Sequence, residues 1–327
     1  MNGFELILPF LRPIQSLILD PEISEIMVNG SEHVFVEERG HMRAIGDLNI
    51  SQRSLEVAVR NIARRLGDDV SEEKPILDSR LPDGSRVAAV LPPCSLNGVV
   101  LTIRKFNTRH FVMSDLVASG SVMPTLAERL QTAVIAHRNI LISGGTGTGK
   151  TTFLTALAAS VPPHERILVI EDTAEIQIQT PNLVRFEARR EHDNLPAITI
   201  RDLLKASLRH RPDRILLGEI RGAEAFDLLQ LLNTGHSGTI STVHANCSAQ
   251  ALSRFTSCVL QSGVDLPYRA IKTNIADSLN LLIHLERRPG RRFVSEVAEI
   301  AAYKPDLDRY ELESIFVCPE DQSDCQS

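Results

Sequence analysis

Gly144-Gly-Thr-Gly-Thr-Gly149-Lys150-Thr151 is the stretch on which the reading of this chain turns. It fits the spacing Gly-x-x-x-x-Gly-Lys-Thr/Ser at every fixed position. Glycine lets the backbone fold tightly, so that successive N–H groups point at one centre and can surround phosphate oxygens. Lys150 offers a positive charge to β- and γ-phosphates, and Thr151 a hydroxyl to Mg²⁺. The apolar run 139–143 before it reads as a strand, and 151–159 after it as a helix whose positive dipole end faces the same phosphates. Gly144, Gly145, Thr146, Gly147, Thr148, Gly149, Lys150, Thr151 and Thr152 are the expected binding residues for ATP with Mg²⁺. A glycine-rich turn beside a surface lysine is the plain alternative, and the strand–loop–helix context argues against it.

From residue 126 onward, short apolar runs alternate with helical stretches. Helices are expected at 126–137, 201–210 and 223–232, and strands at 167–170, 215–217 and 239–243. Fully apolar strands separated by helices imply a parallel sheet covered on both faces, an α/β fold. The ends of these strands carry the polar residues. Strand 167–170 runs into Glu171-Asp-Thr-Ala-Glu175, and acids just past a parallel strand's C-terminal end sit where ligands bind. Taken alone, such a cluster is as readily a solvated loop or a helix start. Beside a phosphate loop, Glu175 becomes a candidate to complete a Mg²⁺ shell. Strand 215–217 ends in Gly218-Glu219. Gly218 stands where an Asp is usual after such a strand, and the acid comes one residue later, so Glu219 is the candidate to polarise water. Gly235-His236-Ser-Gly238 and His244-Ala-Asn246 flank the next strand and suggest a polar sensor.

Residues 1–107 read differently. The runs 23–28 and 33–38 end at Asn29-Gly30 and Arg39-Gly40, which are hairpin signals. Residues 54–66 have helical spacing with Gly67 as a C-terminal cap. Arg80-Leu-Pro-Asp-Gly-Ser-Arg86 is a turn, and 87–91 and 99–103 read as paired strands. This is a smaller α+β module, joined by a linker over 108–125 to an α/β domain over 126–327. The tail after Pro319 is acidic and expected to fray.

Composition narrows the partners. A net charge of −6 excludes a uniformly basic nucleic-acid binder, so phosphate must be met by placed groups. No stable nucleic-acid binding is expected. Five scattered cysteines with no Cys-x-x-Cys pair exclude a zinc ribbon and suit a reducing compartment. No signal peptide and no membrane span are evident. Residues 4–19 are apolar but interrupted by Pro9, Arg12 and Pro13, and read as a docking helix.

The motifs together resemble the type II/IV secretion ATPase superfamily. Arg211-Pro-Asp-Arg-Ile-Leu-Leu-Gly-Glu219-Ile-Arg221-Gly looks like its Walker-B signature. Ile170-Glu-Asp-Thr-Ala-Glu175 looks like its Asp box, and Gly235 to Asn246 like its His box, in the family's order. Glu25-Ile-Met-Val-Asn-Gly30, Leu81-Pro-Asp-Gly-Ser-Arg86-Val and Leu101-Thr-Ile-Arg104-Lys105 match its first half. The resemblance spans roughly 15–300, nearest to the conjugation and pilus-assembly branches.

It implies a RecA-like domain preceded by a PAS-like one, a homohexameric ring, and a cytoplasmic motor. That motor would dock on inner-membrane secretion or pilus machinery, with peripheral membrane association. It implies that Glu175 and Glu219 support hydrolysis, that His244 senses the nucleotide, and that Arg86 and Arg104 act as arginine fingers. By themselves those arginines read as solvated strand-edge charges. Arg209, Arg211, Arg214 and Arg221 surround the Walker-B strand, either for a neighbouring subunit or for ion pairs with Asp213 and Glu224. A nucleotide-dependent switch or scaffold without turnover, and a nucleic-acid translocase, are the competing readings.

Overall fold

Strand β7 (Ile140–Gly144) is buried at every residue, in keeping with its apolar start Ile-Leu-Ile. In the computed structural model it is the middle of an eight-stranded sheet. The structure describes residues 3–319 apart from 39, 47, 49, 107–110, 190 and 192–194. The chain divides into two units, Met1–Thr108 and Arg109–Ser327.

In the first unit, α1 (Gln15–Leu19), β1 (Ile23–Asn29), β2 (His33–Glu38), β3 (His41–Ile45), α2 (Gln52–Arg65), β4 (Ile76–Arg80), β5 (Arg86–Val90) and β6 (Val100–Arg104) follow in order. The strands form an antiparallel sheet in the order β3-β2-β1-β6-β5-β4. The Ser51 hydroxyl caps α2 by accepting the Ser54 N–H at 3.1 Å. Leu55, Ala58, Val59, Ile62 and Ala63 form the helix's buried face, and Val57 points to solvent. The N-terminal stretch is not a free docking helix. Pro9 and Pro13 break it into 3-10 turns and the single turn α1, and Ile7, Leu11, Ile14 and Ile18 are buried in this unit's own core.

The second unit contains α3 (Met113–Ala118), α4 (Pro124–Ile135), β7, α5 (Lys150–Ala158), β8 (Ile167–Glu171), β9 (Leu183–Glu187), α6 (Ile200–Ser207), β10 (Arg214–Ile220), α7 (Glu224–Asn233), β11 (Ile240–His244), α8 (Ser248–Leu260), α9 (Tyr268–Ser278), β12 (Leu281–Arg288), β13 (Arg291–Lys304) and β14 (Arg309–Val317). The sheet order is β14-β13-β12-β7-β11-β10-β8-β9. The pairings from β12 to β9 are parallel, and β13 and β14 add antiparallel at one edge. One apolar cluster, with α3, α4 and α5, covers one face; a second, with α6 to α9, covers the other.

Part of the stretch read as a linker, 108–125, belongs to this second core. Asp115 accepts the Val112 N–H at 3.0 Å and caps α3, and Met113, Leu116 and Val122 are buried with α5. The first residues of that linker, and the tail after Pro319, lie outside the described residues. Among the described residues no helix is long and apolar enough to cross a membrane.

Two polar clusters brace the unit. Lys272 of α9 lies over the rings of Tyr268, Tyr303 and Tyr310 at 4.8, 5.3 and 5.7 Å. Its ammonium donates to Asp308 Oδ1 at 2.7 Å, and the Tyr303 hydroxyl donates to the same oxygen at 2.6 Å. This clasp ties α9 to the β13–β14 hairpin.

Arg214, fully buried, is the second brace, so of the four arginines around β10 this one serves packing inside the subunit. It donates from Nε to Glu165 Oε2 at 2.5 Å and from Nη1 to the Val134 carbonyl at 2.7 Å. Burial pushes the Glu165 carboxyl up, and the bond and charge of Arg214 overcome it, holding the group below the usual range. The guanidinium fills the space above Gly238, where a Cβ would stand 2.8 Å from Arg214 Cδ. Arg214→Ala strands Glu165 in the interior and is expected to cost about 3–5 kcal/mol in urea unfolding. Arg214→Met together with Glu165→Leu should unfold near the wild-type midpoint.

Candidate functional site

The phosphate-loop motif occupies the turn between β7 and α5. Gly147 and Gly149 take φ values of +72° and +92°, where any other residue would be strained. A Cβ on Gly144 would stand 2.7 Å from the Leu285 carbonyl oxygen. The loop is therefore a cradle of bare backbone. Thr148 closes it by donating to the Gly145 carbonyl at 3.0 Å. Lys150 Nζ lies back over the loop, donating to the carbonyls of Gly144 and Gly145, each at 3.0 Å. Its burial pulls the ammonium pKa down, against the opposing pull of Glu219. Thr146 is exposed at the tip, and Thr151 and Thr152 are half-buried in the first turn of α5. A cradle without side chains, a lysine and a helix N-terminus together fit a nucleotide's phosphates.

Register lays the neighbouring residues against this loop. Gly144 is the partner of His244 on β11 and of Leu285 on β12. His244 is exposed at the mouth of the loop. On the next strand the β10–β11 pairing slips between Leu217 and Ile220, which places Gly218 and Glu219 in a bulge. Thr242 holds the bulge by donating to the Gly218 carbonyl at 2.6 Å. A Cβ on Gly218 would come within 3.1 Å of Glu171 Cγ, a tight contact, and the acid of this segment is the next residue, Glu219.

Arg221 gathers the acids. It donates from Nε to Glu219 at 2.8 Å and from Nη1 to Asp172 at 3.0 Å. Glu224 accepts the Arg221 and Gly222 backbone N–H groups at 2.5 and 2.8 Å, which fixes the turn that leads into α7.

Glu171 was within the acidic run but not singled out by it. It is the last residue of β8 and is buried. Its Oε1 accepts the N–H groups of Glu175 and Ile176 at 2.9 and 2.8 Å, which fixes the start of the segment that presents Glu175. Burial raises its carboxyl to about 7, although those two bonds and Arg185 oppose the rise. The available signal was its position: the residue that ends a buried strand is itself buried.

Arg86 and Arg104 belong to the first unit. They are directly paired across β5 and β6, with Asp78 3.5 Å from Arg86 and Glu25 in register with Arg104. Each arginine thus has a carboxylate beside it within its own unit, which offsets the repulsion between two like charges directly opposite on a ladder.

The raised Glu171 pKa sets a pH dependence. The folded state holds this proton between the ordinary carboxylate range and about 7, where the unfolded chain has lost it. Stability therefore falls as pH rises through that window, by the linkage relation. Glutamine keeps the accepting oxygen and removes the charge. Glu171→Gln is expected to raise the melting temperature at pH 8 and to change it little at pH 5, measured by calorimetry at both.

The comparisons with known proteins agree with this geometry. The profile of the type II/IV secretion system protein family matches residues 11–305. Conjugal transfer protein TrbB of Rhizobium radiobacter is 33% identical over 290 residues, covering 87% of this chain and 86% of that protein. Type IV secretion system protein VirB11 of Bartonella henselae is 32% identical over 328 residues, covering 89% and 92%. The X-ray structure of the Yersinia pseudotuberculosis ATPase DotB aligns with a TM-score of 0.63 at 15% identity, over 91% of this chain and 80% of that one, a likeness of fold. With a family profile spanning both units and a phosphate cradle in the second, this chain belongs to the type II/IV secretion system protein family.

Proposed function

We propose that this chain is a Mg²⁺-dependent ATPase, the subunit of a homohexameric motor that powers conjugation, type IV secretion or pilus assembly. One observation carries the reading: the glycine cradle of 144–149 starts at Gly144, the register partner of His244, and its lysine feels the charge of Glu219 near the end of β10. The names of the relatives, a conjugal transfer protein and a type IV secretion protein, support the transport system. In this reading 109–327 is the RecA-like ATPase domain and 1–108 a PAS-like α+β domain. The ring docks on inner-membrane secretion or pilus proteins from the cytoplasmic side, without stable nucleic-acid binding.

The residues then divide the work. The loop N–H groups and Lys150 hold the β- and γ-phosphates. Thr151 and Glu175 complete the shell of Mg²⁺, which when bound neutralises charge between those phosphates. Glu219, held by Arg221, orients and polarises water. Glu171, as a positioning residue, fixes the backbone that presents Glu175. His244 reports the state of the phosphate site to β11. Arg86 and Arg104 supply the mobile positive charge that a phosphoryl transition state calls for.

Steady-state ATP hydrolysis by the sized, purified protein tests the proposal. Glu219→Gln should lose about 10²–10⁴-fold in kcat, the range for a general base, while keeping its affinity for ATP. Lys150→Ala should lose binding itself. Wild-type protein that binds ATP, stays monomeric at all concentrations and does not turn over would sink the motor reading and favour a switch.

A further inference from the structure

The hairpin Arg287-Arg288-Pro-Gly-Arg291-Arg292 puts four arginines in six residues at the junction of β12 and β13. Its register pairs Arg288 with Arg291 and Arg287 with Arg292. The two pairs point to opposite faces, because side chains alternate along a strand. Arg288 and Arg291 pack on one ring: their guanidinium carbons lie 5.2 and 4.7 Å from the centre of the Phe293 ring, and Arg288 is 3.7 Å from Glu286. The other pair reaches the phosphate loop. Nη1 of Arg287 is so close to the loop tip that a Cβ on Gly147 would stand 2.8 Å from it. Cδ of Arg292 lies 3.7 Å from the corresponding point on Gly149. Both side chains are exposed, so a ligand on the loop can meet them.

The strand order makes this placement a fixed one. β12 pairs with β7 through Leu285 and Gly144, so the hairpin starts its overhang two residues beyond the point where the loop leaves the sheet.

We propose that Arg287 and Arg292 are nucleotide-binding residues, a guanidinium pair on the C-terminal hairpin that engages the β-phosphate held by the loop of the same subunit. The inference rests on the reading of 144–151 as the nucleotide site. In a protein with a net charge of −6, the pair supplies local positive charge that the overall composition does not. It acts on affinity, since a planar fork binds phosphate oxygens in two-point fashion. The role is distinct from that of Arg86 and Arg104, which belong to the first unit.

Titration of full-length protein with fluorescent ADP and AMP analogues tests it, on Arg287→Gln, Arg292→Gln, Arg288→Gln and Lys150→Ala beside wild type. Each of Arg287→Gln and Arg292→Gln is expected to weaken ADP by about tenfold or more, the worth of a charged hydrogen bond, and to leave AMP nearly unchanged. Arg288→Gln, on the opposite face, should bind ADP as wild type does. ADP affinity unchanged in both hairpin variants, with Lys150→Ala impaired, overturns the arginine assignment and leaves the phosphate-loop reading standing. Equal losses for ADP and AMP overturn it too, because the contact is then not with the β-phosphate. Wild-type protein that binds no ADP overturns the underlying reading as well.

Discussion

Strand β7 is hydrogen-bonded on both sides, to β11 and to β12, along its whole length. Its chain can leave the sheet only at the C-terminal end, and there the next backbone groups have no ladder to join. Unpaired N–H groups at a buried strand end must find acceptors. The glycines of 144–149 let the chain turn sharply there, with Gly147 and Gly149 at positive φ. Everything else in the site follows from that exit. The parallel neighbours reach the same level, β11 ending there at His244 and β12 running on past Leu285 into the arginine hairpin.

The acidic side of the site obeys a second steric rule. Glu171 is buried at the end of β8 and packs closely on Gly218. A bulge at this point carries Glu219, one residue on. Glu171 also holds the backbone that presents Glu175. One carboxyl thus touches both acidic segments, and burial raises its pKa against the opposing pull of Arg185.

The elements around β7 were legible because most strands there are short and rich in apolar residues, as doubly covered parallel strands are, and lie between helical stretches. The outer elements were not. Leu183–Glu187 is an edge strand whose residues are only partly buried, so it lacks that pattern. The β12–β13 hairpin was marked by Pro289-Gly290, yet its arginine-rich tip hides the strands on either side. Residues 4–19 looked like a detached helix because their apolar content is real, but two prolines fold it into turns against its own unit. Within the site, the loop and Glu219 could be read from spacing. Glu171 could not, since its weight comes from a contact with a glycine 47 positions away.

The clasp around Lys272 has an optical consequence. The chain has no tryptophan and three tyrosines, and all three tyrosine rings surround that one ammonium. Near-ultraviolet absorption and intrinsic emission of this protein therefore arise almost wholly from one corner of the second unit. The light such a sample emits is a local gauge of the α9 clasp, blind to whether the first unit is folded.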